Sequence, residues 1–363
     1  MSPLFSAIFL LGLCLANGIN FTTVYQWDKF DFVWPSGADP SIEQIKDEYK
    51  PGNVFLRYMA VFRERLFLSL LGGSTIPATL VWLPISGSST APPKLTPFPS
   101  LYLHKRDNCD SIQEATGMET DRDGRLWMLD NGSWDCPSKF WIFNLLKNDT
   151  TERVHHFPDA VVSHSYAKRA LRNIVLDKTT DDYLAYITDY FSEHVVVYSR
   201  KTNKSWTVKT PGRQWYSLAL SANKRQLYLS RFEFKELYSM SVSELKNEGG
   251  ISANSVKLIG KWNEEPNRML IDSANVLYAA FWYQNYLSKW NTSEPFREQR
   301  FHEVGVLRAV LPFTFALDAN RNLWVTERNA TEDWTKPKHK LLKAAVGARS
   351  YQFGTSKDLP SRG

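Results

Sequence analysis

The chain is poor in cysteine, with Cys14, Cys109 and Cys136 as the three in 363 residues. It has no CxxC and no HxxxH cluster, which removes the usual structural zinc sites. Beyond the N-terminus no stretch reaches the roughly 18 uncharged apolar residues that a membrane-spanning helix needs. The seven histidines have no G-x-S-x-G partner, so a nucleophile-elbow hydrolase is not suggested. Lys/Arg runs of nucleic-acid type are also missing, and 44 basic against 38 acidic residues give a mild net charge of +6. Helical periodicity is scarce. The one clear helix candidate is Ser41–Tyr49, with Ser41 as N-cap and Pro51 beyond its end.

Apolar and aromatic residues are plentiful. A hydrophobic content of 43% supports a large core and excludes a disordered chain. Aromatics reach 14%, as 13 Trp, 16 Tyr and 21 Phe; large rings are mostly core residues. Leu4 to Leu15 is an apolar run of signal-peptide length, with the small residues Ala16 and Gly18 before Ile19. The expectation is a signal peptide at 1–18 and a secreted, soluble protein without membrane insertion. Cys14 then leaves with the leader, and Cys109 and Cys136 remain as one disulfide in an oxidising compartment. Sequons at Asn20, Asn131, Asn148, Asn203, Asn291 and Asn329 suggest a glycosylated surface.

A weak repeat organises the rest. A polar turn is followed by Leu plus an aromatic and then β-type residues. The pattern is clearest from Asp121 to Leu126-Trp127 and from Asp318 to Leu323-Trp324. Looser copies end at Phe67, Tyr186, Tyr228 and Tyr278, so the six aromatics are separated by 60, 59, 42, 50 and 46 residues. Six copies at that spacing predict an all-β, six-bladed β-propeller of four-stranded blades. The alternating segment Thr22–Phe32 is expected to complete the last blade and close the ring. The predicted organisation is a propeller over 19–335 and a basic tail over 336–363, packed on the propeller or mobile. The Lys-rich stretch Lys336–Lys343 raises a polyanion- or cell-surface-binding alternative.

Six segments in order carry a resemblance: VYQWDKFDFVWP (24–35), IPATLVWLP (76–84), PPKLTPFPS (92–100), GMETDRDGRLWMLDNGS (117–133), LAYITDYFSEHVVVYSRKTNKSW (184–206) and TFALDANRNLWVTE (314–327). The chain resembles the yellow / major royal jelly protein family, and most of all its salivary yellow-related members in blood-feeding sand flies. That resemblance implies a six-bladed propeller. It also implies a salivary, monomeric binder and scavenger of biogenic amines (serotonin, catecholamines, histamine) in the central channel, without turnover or cofactor. Pigment-pathway relatives with dopachrome-converting activity supply an enzymatic alternative. Such relatives commonly carry two disulfides, whereas this chain can form one.

In a propeller, the starts of the innermost strands and the loops after the second strands meet at one mouth of the channel. Sequence places Ser111–Glu114, Arg172-Asn173, Trp215-Tyr216 and Phe313-Thr314 at strand starts. The loops hold Asp130-Asn131, Asp189-Tyr190-Phe191, Arg231-Phe232, Phe281-Trp282-Tyr283 and Glu327–Asn329. From these the expected ligand-binding set is Glu114, Asp189, Tyr190, Phe191, Phe281, Tyr283, Phe313, Thr314 and Asn329. Rings would form a slot for an arylalkylamine, and oxygens would accept from its ammonium. The resemblance implies that Thr314 and Asn329 bond the amine. Asp130, Asp189 and Glu327 also have a plainer reading, as carboxylates that close turns. A calcium-dependent hydrolase would instead need oxygens such as those of Glu114, Asn173 and Asp189 to converge.

Overall fold

The computed structural model describes residues 19–37, 39–71, 75–85, 91–106, 108–246, 255–282, 284–303, 314–328 and 338–353. The N-terminal apolar run therefore lies outside the described residues. Strand β1 (Thr22–Trp27) and helix α1 (Pro40–Glu48) precede the first blade. Helix α1 is capped by Asp39, whose carboxylate accepts from the Ser41 backbone N–H at 3.0 Å, so the cap lies two residues before the expected Ser41.

Five blades follow in chain order. The first is β2 (Phe55–Phe62), β3 (Arg65–Leu71), β4 (Leu80–Pro84) and β5 (Thr96–Pro97); the second is β6 (Ala115–Thr120), β7 (Arg125–Asp130), β8 (Lys139–Asn144) and β9 (Thr150–His156). The third is β10 (Leu171–Lys178), β11 (Tyr183–Asp189), β12 (His194–Ser199) and β13 (Lys204–Lys209). The fourth is β14 (Ser217–Leu220), β15 (Gln226–Ser230), β16 (Glu236–Ser241) and β17 (Lys257–Lys261); the fifth is β18 (Pro266–Ile271), β19 (Val276–Phe281), β20 (Tyr286–Asn291) and β21 (Gln299–Glu303). The sixth contains β22 (Phe315–Leu317), β23 (Asn322–Arg328) and β24 (His339–Ala345), and β1 pairs antiparallel with β24 to complete it. The six-bladed architecture and its closure by the N-terminal strand agree with the sequence reading. The domain boundary does not: β24 occupies much of the expected basic tail, so the propeller continues past 335. A loose tail cannot begin at 336 when His339 to Lys343 pair with both β23 and β1.

The repeat has a physical cause. In blades two, five and six an Asp ends the innermost strand, and its carboxylate organises the hairpin that follows. Asp121 accepts from the backbone N–H groups of Asp123 and Arg125 at 2.9 and 3.0 Å, and from the Trp127 indole at 2.8 Å. Asp272 repeats this with Ala274, Val276 and the Tyr278 hydroxyl, and Asp318 with Asn320, Asn322 and Trp324. One buried carboxylate thus satisfies the turn and fixes the aromatic of the second strand. Blade four uses Ser221 in the same place, bonding the N–H groups of Arg225 and Gln226. Blade three bonds Asp177 to Tyr186 instead.

Cys109 and Cys136 are bonded, with Cα atoms 5.1 Å apart and a separation of 27 residues. A loop of that size corresponds to about 3 kcal/mol of stabilisation. Asn20, Asn148 and Asn203 are exposed and Asn291 is half-buried. Asn131 corrects the expectation of a surface sequon. It is 5% exposed, its Nδ2 donates to Glu114 and its Oδ1 accepts from Leu171 N. Asn329 lies outside the described residues.

Three buried histidines give the fold an acid limit. Loss of hydration pushes the pKa values of His104 and His155 down to about 4 and that of His339 down to about 3. Each would titrate near ~6.5 unfolded, so their stabilisation is whole above ~pH 6.5 and is lost as pH falls toward ~4. Glu119 has the opposite sign. Burial raises its pKa to about 8, so its contribution is whole below ~pH 4.5 and is lost as pH rises through ~8. The melting temperature of the purified protein should peak near ~pH 6.5, with the steeper fall on the acid side. A profile flat from pH 5 to 8 would contradict this balance.

Candidate functional site at the channel mouth

The innermost strands pack side by side around the axis, β2 against β6, β6 against β10, β10 against β14 and β14 against β18, with β22 returning to β2. Residues at or within two positions of their starts therefore gather at one end of the channel. Blade by blade these include Arg57, Glu114, Arg172, Tyr216, Arg268 and Thr314. At the opposite end the C-terminal turn Tyr351–Phe353 folds under the channel. There the Tyr351 hydroxyl accepts from Leu176 N and the Gln352 amide donates to Leu176 O, both at 2.8 Å.

Between the two ends lies a narrow cavity of about 60 Å³, lined by Tyr58, Glu119, Asn173, Arg268, Thr314 and Tyr351 among others. That is room for a few waters, whereas pockets that enclose a drug-sized ligand run to about 300 Å³ or more. The shaft is therefore too narrow to enclose an indole or catechol ring.

The mouth is built of rings and guanidinium groups. Arg57 and Glu114 form an ion pair at 2.6 Å, with side chains only 11% and 19% exposed. Glu114 also accepts from the Asn131 amide at 2.9 Å and the Tyr166 hydroxyl at 3.1 Å. Burial alone would raise the Glu114 pKa, but the Arg57 charge and these donors bring it below the usual carboxylate value. Arg268 lies over the Tyr58 ring at 3.2 Å and donates to the Arg57 carbonyl at 2.6 Å. Arg172 lies 6.0 Å from the Tyr216 ring. Beside them the loops of blades three to five bring Tyr190, Tyr216, Phe232 and Trp282 into one aromatic group, with centroid distances of 5.3 to 5.8 Å. Trp134, Phe191 and Phe234, on the corresponding loops of blades two, three and four, are 75%, 47% and 41% exposed.

The sequence-predicted residues divide. Thr314 is in place: it is 1% exposed and lines the cavity, and its hydroxyl makes no hydrogen bond among the described residues. Tyr190 and Phe191 are at the mouth, their rings 5.0 Å apart. Glu114 is there too, already committed to Arg57. Asp189 is fully buried and accepts from Ala170 N and the Ser192 hydroxyl, so it ties the loop to the strand start instead of facing a ligand. Asp130 plays the same part in blade two, accepting from Glu114 N and Gly132 N. Phe281 is a correction. Its ring packs on Trp262 and Tyr286 in the core between blades, because the alternation of β19 turns it away from the mouth. Tyr283, Phe313 and Asn329 lie outside the described residues.

Sequence reasoning missed Arg57, Tyr58, Tyr166 and Arg268. A signal for two of them was present. Ten residues before the repeat aromatics Phe67, Tyr278 and Trp324 stand Arg57, Arg268 and Thr314, all near strand starts, of which only the last was singled out.

Comparison with known proteins adds three findings. The family model described as Major royal jelly protein matches residues 114–215 and 211–332, together more than half of the chain. Protein yellow of Drosophila pseudoobscura pseudoobscura is 27% identical over 350 residues, covering 83% of this chain and 61% of the relative; that of Drosophila melanogaster is also 27% identical, with 83% and 63% covered. The chain thus spans about three-fifths of the length of these relatives. Among solved structures, a luciferin-regenerating enzyme aligns with a TM-score of 0.54 at 10% identity, over 92% of this chain and 97% of the other. A gluconolactonase of Xanthomonas campestris gives 0.55 at 10% identity, with 92% of each chain covered. At that identity the likeness concerns the fold alone.

The ion pair at the mouth carries a stability prediction. Glu114→Ala leaves the Arg57 guanidinium buried without its carboxylate and should destabilise the protein by about 3 kcal/mol. Chemical denaturation would read this; a loss under ~1 kcal/mol would mean the pair is effectively solvated.

Proposed function

The chain belongs to the major royal jelly protein family, and from that premise we propose that it is an exported binder of small aromatic ligands, biogenic amines included, without turnover. The carrying observation is the aromatic group at the channel mouth, Tyr190, Tyr216, Phe232 and Trp282, together with the Thr314 hydroxyl, which lines the shaft without a hydrogen bond among the described residues. These rings pack on one another, so a planar ligand would lie against their outer faces, and the faces of the tyrosines offer it an electron-rich surface. Export is supported by the apolar N-terminal run and by the Cys109–Cys136 disulfide, a bond that persists in oxidising compartments. Saliva as the site of action rests on resemblance alone.

A catalytic reading has less support. The oxygens a propeller hydrolase would bring to a calcium ion are engaged elsewhere: Glu114 with Arg57, Asp189 in its turn, and Asn173 with Ser217 and Ile174 N. The enzymes named among the structural neighbours share the scaffold, and one scaffold hosts many functions.

Calorimetric titration with serotonin, histamine, dopamine and noradrenaline tests the reading. It predicts saturable 1:1 binding of at least one of them, with the ligand recovered unchanged. Thr314→Ala should weaken that binding by about 1 kcal/mol, roughly fivefold, through loss of one hydrogen bond. Conversion of the ligand would replace the binder with an enzyme, and full affinity in the Thr314 variant would move the ligand away from the channel wall.

A further inference from the structure

The six strand starts at the mouth alternate in character. Blades one, three and five contribute Arg57, Arg172 and Arg268; the blades between contribute Glu114, Tyr216 and Thr314. Three positive charges therefore accompany one negative charge, which is in contact with Arg57 at 2.6 Å and feels Arg172 only at longer range. Arg172 has no hydrogen bond or ion pair among the described residues, and its Nε is buried without a partner. Arg268 is 7% exposed. It bonds to the Arg57 carbonyl and meets Tyr58, but among the described residues no carboxylate accompanies it. Both guanidinium groups act on Tyr216, which stands between them on the ring.

A buried charge without a counter-ion is costly, and whatever neutralises it when it binds gains that cost back. An ammonium ligand placed here adds a fourth positive charge and must compete with Arg57 for Glu114. An anion meets two guanidinium groups that have no carboxylate in contact among the described residues, and whose forked donors suit one. We propose that the mouth recognises the anionic group of its aromatic ligand: a carboxylate shared by Arg172 and Arg268, with the ring laid on the outer faces of the packed Tyr216, Phe232 and Trp282. Aryl acids and aromatic amino acids are then better ligands than the corresponding amines. The proposal rests on the reading that this mouth holds an aromatic ring, and it names the class of ligand within that reading.

One matched series separates the two claims. Serotonin, 5-hydroxytryptophan and 5-hydroxyindole-3-acetate share a ring and differ in charge. Titrated into the full chain at low salt, the acetate should bind at least tenfold more tightly than serotonin, with the zwitterion between them. Added sodium chloride should narrow the gap. Arg172→Gln should lower acetate affinity about tenfold and raise that of serotonin, whereas Arg172→Lys, which keeps the charge, should retain most of the preference. Melting curves check that both variants fold. Serotonin binding as tightly as the acetate, or Arg172→Gln leaving the order intact, overturns the anion proposal while the aromatic-binding reading stands. No binding by any of the three overturns both.

Discussion

The buried aspartate at the end of the innermost strand is the interaction on which the rest of this propeller depends. Asp121, Asp272 and Asp318 each hold two backbone N–H groups of the hairpin and the polar atom of the aromatic six residues on. Burial pushes the Asp121 and Asp272 carboxyls up in pKa against the pull of these donors, a sign of how far they sit from water. The arrangement fixes the turn, the register of the first two strands and the depth of a large ring in one step. It is also confined to one end of the channel. At the other end the strand starts are tied by different means, Asp130 and Asp189 in two blades and the Thr314–Thr326 pair in a third, so residues there can differ from blade to blade. A rigid floor with a variable rim positions a binding site.

This asymmetry explains what was legible in the sequence. The floor repeats, so the D-x4-L-W pattern revealed the blade count, and the alternation of Thr22–Phe32 revealed the strand that closes the ring, which ends at Trp27. The rim does not repeat in residue type. Tyr58 and Arg268 occupy the place that Thr314 holds in blade six, and Arg57 stands in the bulge beside Tyr58, where neither ring slots nor oxygens point to an arginine. Strand β24 was mistaken for tail because its lysines dominate the composition. In the fold Leu341, Leu342 and Ala344 are buried while Lys340 and Lys343 alternate with them at the surface. Phe281 was assigned to the mouth from its place at the end of a strand, but the two-residue period of β19 directs it into the core with Trp262.

The chemistry of the rim gives the functional question its form. A ring slot alone would suit any small aromatic ligand. The guanidinium groups around it give the slot a sign. Membership in the major royal jelly protein family supplies the scaffold, and the residues on the rim decide what one member holds.

The most direct test of the account is where a ligand sits. Crystals soaked with 5-bromoindole-3-acetate would mark the ring by the anomalous scattering of bromine. The account predicts one strong peak over the channel mouth, against the outer face of the Tyr216–Trp282 pair, with the acid directed at Arg172. A peak anywhere away from the channel axis would contradict it.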